Sequence, residues 1–483
     1  MIKNFATYLA LCSASFTSVA QVTPLATLKL PMQQIVGTMP APPQQEVLLT
    51  PVKIANHSCI TIEESEAIFS ESKKVLSTLK HRAHHSTEGG TSHVLHQWPI
   101  QAASNFTDYG YYTVQNLVDH NIMNPNQVLD YNCGSRTYDY SGGNHQGTDI
   151  IYWPYAWKKM DENVMEIIAS APGVITMKRN NFFDRNCANN GNSQWNGIIL
   201  EHADGSQSWY LHFKTGSATT KSVGDTVQAG EYLGLAGSSG SSDWPHLHFQ
   251  VMNALGMVID PFDGTCNSTN AGDTWWQTQI NYDVPSINRI CTKKTPDEFY
   301  QCPTAEITYE ADTFYIGDTL WLWAYMRDNV INGTVYVNIF NPQGFNMLNF
   351  QYTNTFGSYP TSYNRWFYPV TNWFTPGWWT YQIQYGGNSY STTFYMTQLI
   401  AGTNDINFGK LNLHPNPSSN QITLTELLPG TNLEIVDALG RVVLVSKSAD
   451  TKVSIDISNL PNGVYNLIGQ YNEKRYSSRF IKN

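Results

Sequence analysis

Two short fragments constrain the fold of this chain more than any other feature. Gly143–Asp149 contains a His-x3-Asp motif, and Trp244–Phe249 contains a His-Leu-His motif. Zn²⁺ binds imidazole nitrogens and carboxylate oxygens, and a catalytic zinc site uses three protein ligands with water in the fourth position. A fold that brings the two fragments together supplies that set. We therefore predict that His145, Asp149 and His248 are metal ligands.

The second fragment also separates the roles of its two histidines. In a strand over residues 246–250, side chains two apart lie on one face. His246 and His248 then point into the same cleft, whereas Leu247 and Phe249 point into the core. One imidazole can bind metal while its neighbour transfers protons.

A similar pattern occurs upstream in Ser208–Phe213. Strand alternation predicts that Tyr210 and His212 share one face. The opposite face then carries the apolar residues Trp209, Leu211 and Phe213. His212 is therefore a second candidate for acid/base catalysis.

Four motifs follow one another in order: His-x3-Asp, Tyr-x-His-Phe, the loop Gly-Leu-Ala-Gly-Ser-Ser-Gly, and His-Leu-His-Phe. Over residues 100–270 this order resembles the M23 peptidoglycan metalloendopeptidases of the lysostaphin and LytM type. The resemblance implies a LytM-like antiparallel β-sheet domain with a cleft, a Zn²⁺ cofactor and peptidoglycan cross-link peptides as substrate. It also implies a role for each residue: His145, Asp149 and His248 as zinc ligands, and His212 and His246 as catalytic histidines.

Each motif alone has a simpler explanation. An isolated His-x-His is more often a hydrogen-bonded pair than a metal site, and His-x3-Asp is common by chance. The joint occurrence of the motifs in the expected order favours a zinc centre. Two other functions stay open: a peptidase acting on glycine-rich extracellular proteins, and a non-catalytic cell-surface binding protein. The spacing also leaves open whether Tyr138 or Tyr140 donates to an oxyanion.

Composition favours extracellular β modules over long helices. Only 14% of the 483 residues are charged, whereas 13% are aromatic, and aromatic side chains suit strands. A chain of this length exceeds one ordinary core, so we expect three or more units. The net charge of −10 argues against a nucleic-acid partner.

The N-terminus has the features of a secretory signal peptide over residues 1–20. Lys3 supplies a positive start, residues 5–16 are largely apolar, and Ser-Val-Ala before Gln21 fits a small-residue cleavage site. A lipoprotein signal ending at Cys12 ranks second. No later apolar run reaches about 18 residues, so we expect no transmembrane segment.

An even number of cysteines predicts disulfides in an exported chain. Of the seven cysteines, Cys12 lies in the signal peptide, which leaves Cys59, Cys133, Cys187, Cys266, Cys291 and Cys302. We predict that Cys133 pairs with Cys187 beside the metal site and that Cys291 pairs with Cys302 in a short loop. Zinc binding by cysteine is not expected because no Cys-x2-Cys spacing occurs.

Four segments follow the signal peptide. Residues 21–100 form a propeptide or an N-terminal spacer with one helix over Glu63–Lys80, because Ile68, Val75 and Leu79 recur on one face. The M23 peptidase domain is expected at 101–285, an Ig-like β-sandwich at 303–398 and a sorting domain at 411–483.

Strand patterns support the assignment of the sandwich. Apolar and polar residues alternate within 303–398, and turn signals recur at intervals typical of a β-sandwich. Its tryptophans are candidates for a platform that binds a glycan or a peptide. Because the space between two sheets must be filled with side chains, we instead expect most of these tryptophans in the core. The residues concerned are Trp366, Trp373, Trp378 and Trp379.

Three ordered phrases mark the C-terminal segment: Leu-Asn-Leu-His-Pro-Asn-Pro, Val-Asp-Ala-Leu-Gly-Arg-Val and Asn-Leu-Pro-Asn-Gly-Val-Tyr. They resemble the type A sorting domain of type IX secretion, although His414 stands where Tyr is usual. The resemblance implies the type IX secretion machinery as a partner and export through the periplasm to the cell surface or medium. The alternative is another adhesive sandwich.

The other histidines lie outside these motifs. One group occupies a polar stretch that we expect to be an exposed linker: His81, His84, His85, His93 and His96. The remainder are expected to be structural or on the surface: His57, His120, His202 and His414.

Overall fold

The computed structural model describes residues 44–46, 59–79, 93–121, 127–140, 143–188, 192–270, 272–296, 305–397, 409–471 and 474–483. Several predicted features lie outside these residues, namely the signal peptide, Cys302, His57, His81, His84 and His85.

The described chain is mainly β, which confirms the predicted fold class. Its first part contains β1 (Gln44–Glu46), α1 (Ile62–Thr78), β2 (Ile100–Ala102), β3 (Tyr112–Asn116), β4 (Asp139–Tyr140), β5 (Gly143–Asn144), β6 (Thr148–Tyr152), α2 (Ala156–Asp161), β7 (Met165–Ile168), β8 (Gly173–Arg179), β9 (Gly197–Glu201), β10 (Gln207–Leu211), β11 (Thr226–Val227), β12 (Tyr232–Leu235), β13 (His246–Met252) and β14 (Val258–Ile259).

One antiparallel sheet forms the framework of this first part. Its strand order is β11–β8–β9–β10–β13–β6–β3, with β14 beside β13, and a smaller antiparallel sheet has the order β12–β7–β2. Every residue of β9, β10 and β13 is buried, because both faces of the sheet are covered. One face packs on a core that includes Tyr210 and Phe249, and the other packs on one that includes Trp209 and Leu211.

Helix α1 covers the second of these faces. Thr61 caps the helix and forms a reciprocal capping box with Glu64, which satisfies the free N–H groups of the first turn. The buried positions Ser65, Ile68 and Ser72 are spaced by three and four residues, so they form one stripe along the helix. The predicted helix is therefore present, and its inner stripe is more polar than the apolar pattern indicated.

Residues 286–397 form a sandwich of two sheets. Its strands are β15 (Ser286–Lys293), β16 (Thr313–Tyr315), β17 (Thr319–Asn329), β18 (Thr334–Phe340), β19 (Asn346–Thr353), β20 (Tyr359–Pro369), β21 (Gly377–Tyr385) and β22 (Asn388–Thr397). One sheet has the order β1–β20–β17–β15 and the other β16–β22–β21–β18–β19. Trp366 and Trp379 lie in the core between them, as expected, whereas Trp378 is 57% exposed.

Strand β17 is buried on both sides, which strand alternation alone did not predict. Leu320 and Leu322 face the sandwich core, and Trp323 and Tyr325 pack against the peptidase part. The indole Nε1 of Trp153 donates to the carbonyl of Met326 at 3.0 Å. The aromatic face of β17 therefore joins the two parts of the molecule instead of binding an external ligand.

Residues 409–483 form a second, smaller sandwich. Its strands are β23 (Gly409–Lys410), β24 (Asn412–His414), β25 (Gln421–Thr425), β26 (Asn432–Val436), β27 (Val442–Lys447), β28 (Val453–Asp456), β29 (Gly463–Tyr471) and β30 (Lys474–Lys482). The two sheets have the orders β23–β30–β29–β26–β27 and β24–β25–β28, and they enclose their own apolar core.

The predicted cysteine pairing is wrong. Cys133 forms a disulfide with Cys266, because the loop at Tyr131 accepts a hydrogen bond from the N–H of Cys266 at 2.9 Å and places the two side chains together. Cys187 is disulfide-bonded, but not to Cys133. Cys291 has a free thiol, because its strand points it into the aromatic core beside Trp323. Cys59 is also a free, buried thiol.

None of the helices in the described ranges is both long enough and apolar enough to cross a membrane.

Candidate metal centre

Two paired strands place the first two predicted ligands side by side. Strands β6 and β13 are antiparallel, with Asp149 directly opposite His248 and Ile151 opposite His246. Directly opposed residues project from the same face of a sheet. Accordingly, Asp149 Oδ1 lies 2.9 Å from His248 Nδ1 and 3.7 Å from His246 Nε2.

The third predicted ligand reaches the same point from the turn before β6. His145 Nε2 lies 3.2 Å from Asp149 Oδ2 and 3.3 Å from His248 Nδ1. The turn passes so close that a Cβ on Gly147 would meet the His248 ring at 2.7 Å, so glycine is needed there. The structure thus brings together all three predicted ligands.

His246 and His212 form a second pair beside these ligands. Their ring centroids lie 4.5 Å apart, and the His212 ring is 6.0 Å from that of His248. Both side chains are almost fully buried. The two predicted catalytic histidines therefore line the same cleft as the ligands.

Strand alternation does not explain how His212 reaches the cleft. Tyr210 is paired with Phe249 and packs on its ring in the core, so the prediction that Tyr210 and His212 share a strand face is wrong. Strand β10 ends at Leu211, and His212 has a left-handed backbone with φ of 68°. This unusual conformation redirects the imidazole towards His246.

Each of the four rings has one nitrogen bound to a protein oxygen. The Nδ1 atoms of His145, His212 and His246 donate to the carbonyls of Leu117, Ser239 and Trp244 at 2.7, 2.6 and 2.7 Å. His248 instead uses Nε2, which lies 3.2 Å from Gln250 Oε1. In a neutral imidazole the other nitrogen then carries a lone pair. All four lone pairs face the shared space.

The electrostatics of the cluster centre on Asp149. Burial raises the pKa of its carboxyl, but the imidazoles of His145, His248 and His246 outweigh burial and hold that pKa well below its usual range. Burial lowers the pKa of His145, yet the Asp149 carboxylate raises it above the ordinary value overall. The pKa of His212 falls well below the ordinary value through burial and the neighbouring rings of His246 and His248.

The donor set fits a zinc ion. Two imidazole nitrogens and one carboxylate are a known ligand combination for a catalytic zinc site. Hydrogen bonds from the outer nitrogens fix ring orientation, as is usual for metal-binding histidines. In addition, the Nε2 atom of His212 is buried without a hydrogen-bond partner among the described residues.

Sequence reasoning missed three residues of this cleft. Asn116 Nδ2 donates to Asp149 Oδ2 at 2.9 Å, Gln250 accepts from His248, and the Cys59 thiol lies 3.7 Å from His246 Nε2. Of these three residues, only Gln250 was predictable from the sequence, because it lies two residues after His248 and therefore on the same strand face. Of the two tyrosines considered, Tyr138 stacks on His145 at 4.5 Å, whereas Tyr140 lies against Gly143.

The expectation of an exposed linker is wrong for His93 and His96. His93 stacks on Trp275 at 4.2 Å, and His96 is fully buried. The prediction failed because the polar neighbours of these residues hid two aromatic contacts with a distant part of the chain. His120 and His202 are structural, as expected, and His414 is exposed.

Comparison with protein families confirms both resemblances. Residues 143–261 match Peptidase family M23, and residues 412–483 match the secretion system C-terminal sorting domain. The chain therefore contains an M23 peptidase domain and a type IX sorting domain.

Two curated peptidases are similar to part of this chain. Glycyl-glycine endopeptidase ALE-1 of Staphylococcus capitis is 31% identical over 128 residues, which are 26% of this chain and 30% of that protein. DD-carboxypeptidase/endopeptidase Mpg of Neisseria meningitidis is 35% identical over 93 residues, which are 19% of this chain and 18% of that protein. The chain thus spans less than a third of the length of these relatives.

Among solved structures, the catalytic domain of lysostaphin from Staphylococcus simulans is 30% identical. The match covers 25% of this chain and 78% of that domain, with a TM-score of 0.19.

Proposed function

We propose that this protein is a secreted zinc metalloendopeptidase that hydrolyses peptide bonds in peptidoglycan cross-links. The observation that carries the proposal is the convergence of His145 Nε2, His248 Nδ1 and the Asp149 carboxylate at mutual distances of 2.9 to 3.3 Å. These three residues would hold the ion.

A bound zinc ion supplies a Lewis acid that polarises the scissile carbonyl and activates water. The chain itself supplies the proton carriers. The Nδ1 atom of His212 donates to the carbonyl of Ser239, so its Nε2 atom carries the lone pair that would accept a proton. His246 Nε2 faces Asp149 across 3.7 Å. Once this nitrogen has taken up a proton, it is placed to donate it to a developing oxyanion. General acid/base groups of this kind contribute roughly 10² to 10⁴ in rate.

Tyr138 is the better placed of the two candidate tyrosines for an oxyanion contact. Its ring stacks on His145, and its hydroxyl points to the same space, 3.4 Å from Cys59 Sγ. A phenolic donor aimed at the position of a developing negative charge stabilises the transition state more than the ground state.

The names of two relatives support the proposed substrate class. One is named a glycyl-glycine endopeptidase and another a DD-carboxypeptidase/endopeptidase. The first name also supports the alternative substrate, a glycine-rich extracellular protein, because small, flexible residues would suit the same cleft. A non-catalytic cell-surface binding protein is the remaining alternative.

The sorting domain and the disulfide support export. Residues 412–483 match a secretion sorting domain, and the Cys133–Cys266 bond suits an oxidising compartment. We infer passage through the periplasm and delivery by type IX machinery to the surface or medium.

The test compares peptide release from purified peptidoglycan with cleavage of a glycine-rich protein. Both assays use the full-length chain and a form that starts at His93, each with zinc or with a chelator, and His248→Ala serves as the inactive control. Chelator-sensitive release from peptidoglycan supports the proposal. Cleavage of the glycine-rich protein alone supports the alternative peptidase, and no zinc-dependent hydrolysis of either substrate leaves a binding protein.

A further inference from the structure

The thiol of Cys59 lies inside the metal cleft. Its Sγ atom is 3.7 Å from His246 Nε2 and 3.4 Å from the hydroxyl of Tyr138. The ligand atoms of Cys59, Asp149 and His248 all lie within 4.8 Å of one another, and so do those of Cys59, His212 and His246. Cys59 therefore lies outside the residues that match the M23 family, yet it faces both the metal ligands and the proton carriers.

The unpartnered nitrogen of His212 is a second, independent indication that something is held here. His212 is fully buried, and its Nε2 atom finds no protein partner within the described residues. A buried polar atom without a hydrogen bond destabilises the fold. A cation-centred site accounts for this atom, because the ligand atoms of His212, His246 and Cys59 lie together.

Helix α1 holds Cys59 in place through polar contacts. Ser72 Oγ donates to Thr176 Oγ1 at 2.6 Å and accepts from Gln207 Nε2 at 3.0 Å. Lys73 forms an ion pair with the mostly buried Glu201 at 2.9 Å. These bonds join the helix to strands β8, β9 and β10, which belong to the same sheet as the metal ligands.

Close packing along the helix adds to these bonds. Ile60 and Ile68 pack with Trp195, Trp209 and Leu211 in one core cluster. Phe69 approaches the backbone so closely that a Cβ on Gly256 would meet its ring at 2.8 Å. Residues 59–79 are thus docked on the peptidase domain and cover the cleft.

We propose that the Cys59 thiolate is the fourth protein ligand of the metal and that residues 59–79 keep the peptidase latent. This inference rests on the proposed function, because it requires the metal held by His145, Asp149 and His248. Thiolate is a strong ligand for zinc, and a catalytic site needs the fourth position for water. With sulfur in that position, substrate and water are both excluded. The expectation that no cysteine binds zinc is revised accordingly, since it considered only Cys-x2-Cys spacing.

In the decisive test, the full-length protein is loaded with Co²⁺ in place of zinc, and its ultraviolet and visible absorption spectrum is recorded. A thiolate ligand gives cobalt an intense near-ultraviolet charge-transfer band, which imidazole and carboxylate ligands do not give. We expect the band in the wild type and in Cys291→Ser, which removes the other buried free thiol. Cys59→Ser should bind one cobalt per chain without the band.

Latency is measured on the same proteins with peptidoglycan as substrate. If the Cys59 thiolate occupies the metal in about nine of ten wild-type molecules, only about one in ten is active and the rate falls about tenfold. We therefore expect Cys59→Ser to hydrolyse peptidoglycan at least about tenfold faster than the wild type. Cys291→Ser should match wild type. If the wild type hydrolyses peptidoglycan as fast as Cys59→Ser does, the proposal that Cys59 keeps the peptidase latent is wrong.

The outcomes separate this inference from the proposed function. One cobalt per wild-type chain without the band overturns Cys59 ligation and leaves the metal centre intact. No cobalt in either protein overturns the metal centre, and the inference with it. Should Cys59→Ser misfold, X-ray absorption of the zinc-loaded wild type decides: a zinc–sulfur distance of about 2.3 Å is expected, and a shell of nitrogen and oxygen ligands alone contradicts the proposal.

Discussion

Two sets of buried histidines in the peptidase part differ in what their nitrogens face. In the structural set, His202 bonds the carbonyl of Pro172 and the hydroxyl of Ser208, and His120 bonds Asp260 and Ser268. In the metal-centre set, one nitrogen of each ring bonds a protein oxygen outside the ligand set, and the other faces a space shared with the other rings and the Asp149 carboxylate; its members are His145, His212, His246 and His248. Burial therefore does not identify a metal site. The group that the second ring nitrogen faces does identify one.

His202 and His145, one from each set, also differ in the charge that their surroundings favour. Burial lowers the pKa of His202, which favours a neutral, hydrogen-bonded ring. His145 is equally buried, but the Asp149 carboxylate raises its pKa. A carboxylate shared among several imidazoles attracts either protons or a metal cation, whereas the His202 environment attracts neither. The predictions that follow contrast one set with the other.

The largest effect is expected from removing a metal ligand. His248→Ala should lose stoichiometric zinc and all measurable hydrolysis, because two ligands hold zinc far more weakly than three. Metal analysis of the purified protein checks this, with His202→Gln as the matched control that keeps its zinc. Stoichiometric zinc in His248→Ala would remove the distinction between the two sets.

The next effect concerns the proton carriers. His212→Ala and His246→Ala should each retain zinc and lose roughly 10² to 10⁴ in turnover, the usual contribution of a general acid or base. Zinc content and kcat are measured on the same preparation, after Cys59→Ser has been introduced into every protein to open the site. Near wild-type kcat in either variant contradicts its assigned role.

A smaller effect is expected at the residues that orient the ligands. Asn116→Ala removes the amide that donates to Asp149, and such outer contacts typically contribute 10-fold to 100-fold in metal affinity. A competition titration with a zinc chelator measures the change. Asn288→Ala, which loses hydrogen bonds to the carbonyls of Tyr112 and Trp153, is the control for a buried asparagine away from the metal. Equal affinities in the two variants would assign Asn116 to folding alone.

The smallest effect is a pH dependence of stability from the structural set. The pKa of His202 is lower in the folded chain than in the unfolded chain, so the unfolded state binds the extra proton first. Stability from this group is complete above the unfolded pKa of about 6.5 and is lost as pH falls towards the folded pKa. One proton changes the slope by at most about 1.4 kcal/mol per pH unit. Urea unfolding at several pH values should show a shallower slope for His202→Gln than for wild type, and identical slopes contradict the effect.

The sequence predicted the parts of the site that depend on local geometry. His246 and His248 alternate with Leu247 and Phe249 because strand parity is a local property, and Asp149 joins them through the pairing of β6 with β13. His212 was selected correctly for the wrong reason, since its left-handed backbone carries no sequence signal. The mainly β fold was predictable from composition and turn spacing.

Contacts between residues far apart in the chain could not be predicted from local sequence patterns. Cys59 reaches the cleft only because α1 docks on the sheet, and Cys133 meets Cys266 only because their loops are neighbours in space. His93 and His96 are buried by Trp275 and other aromatic residues far along the chain. The double burial of β17 likewise depends on the contact between the sandwich and the peptidase part.

The most direct measurement is an anomalous difference map at the zinc absorption edge, from crystals of the full-length protein prepared with one equivalent of zinc. A single strong peak is expected within bonding distance of His145 Nε2, His248 Nδ1 and the Asp149 carboxylate, about 2.0 to 2.2 Å from each. A peak between His120 and Asp260, or no peak in the cleft of a crystal that contains zinc, would contradict the central distinction between the two sets of histidines.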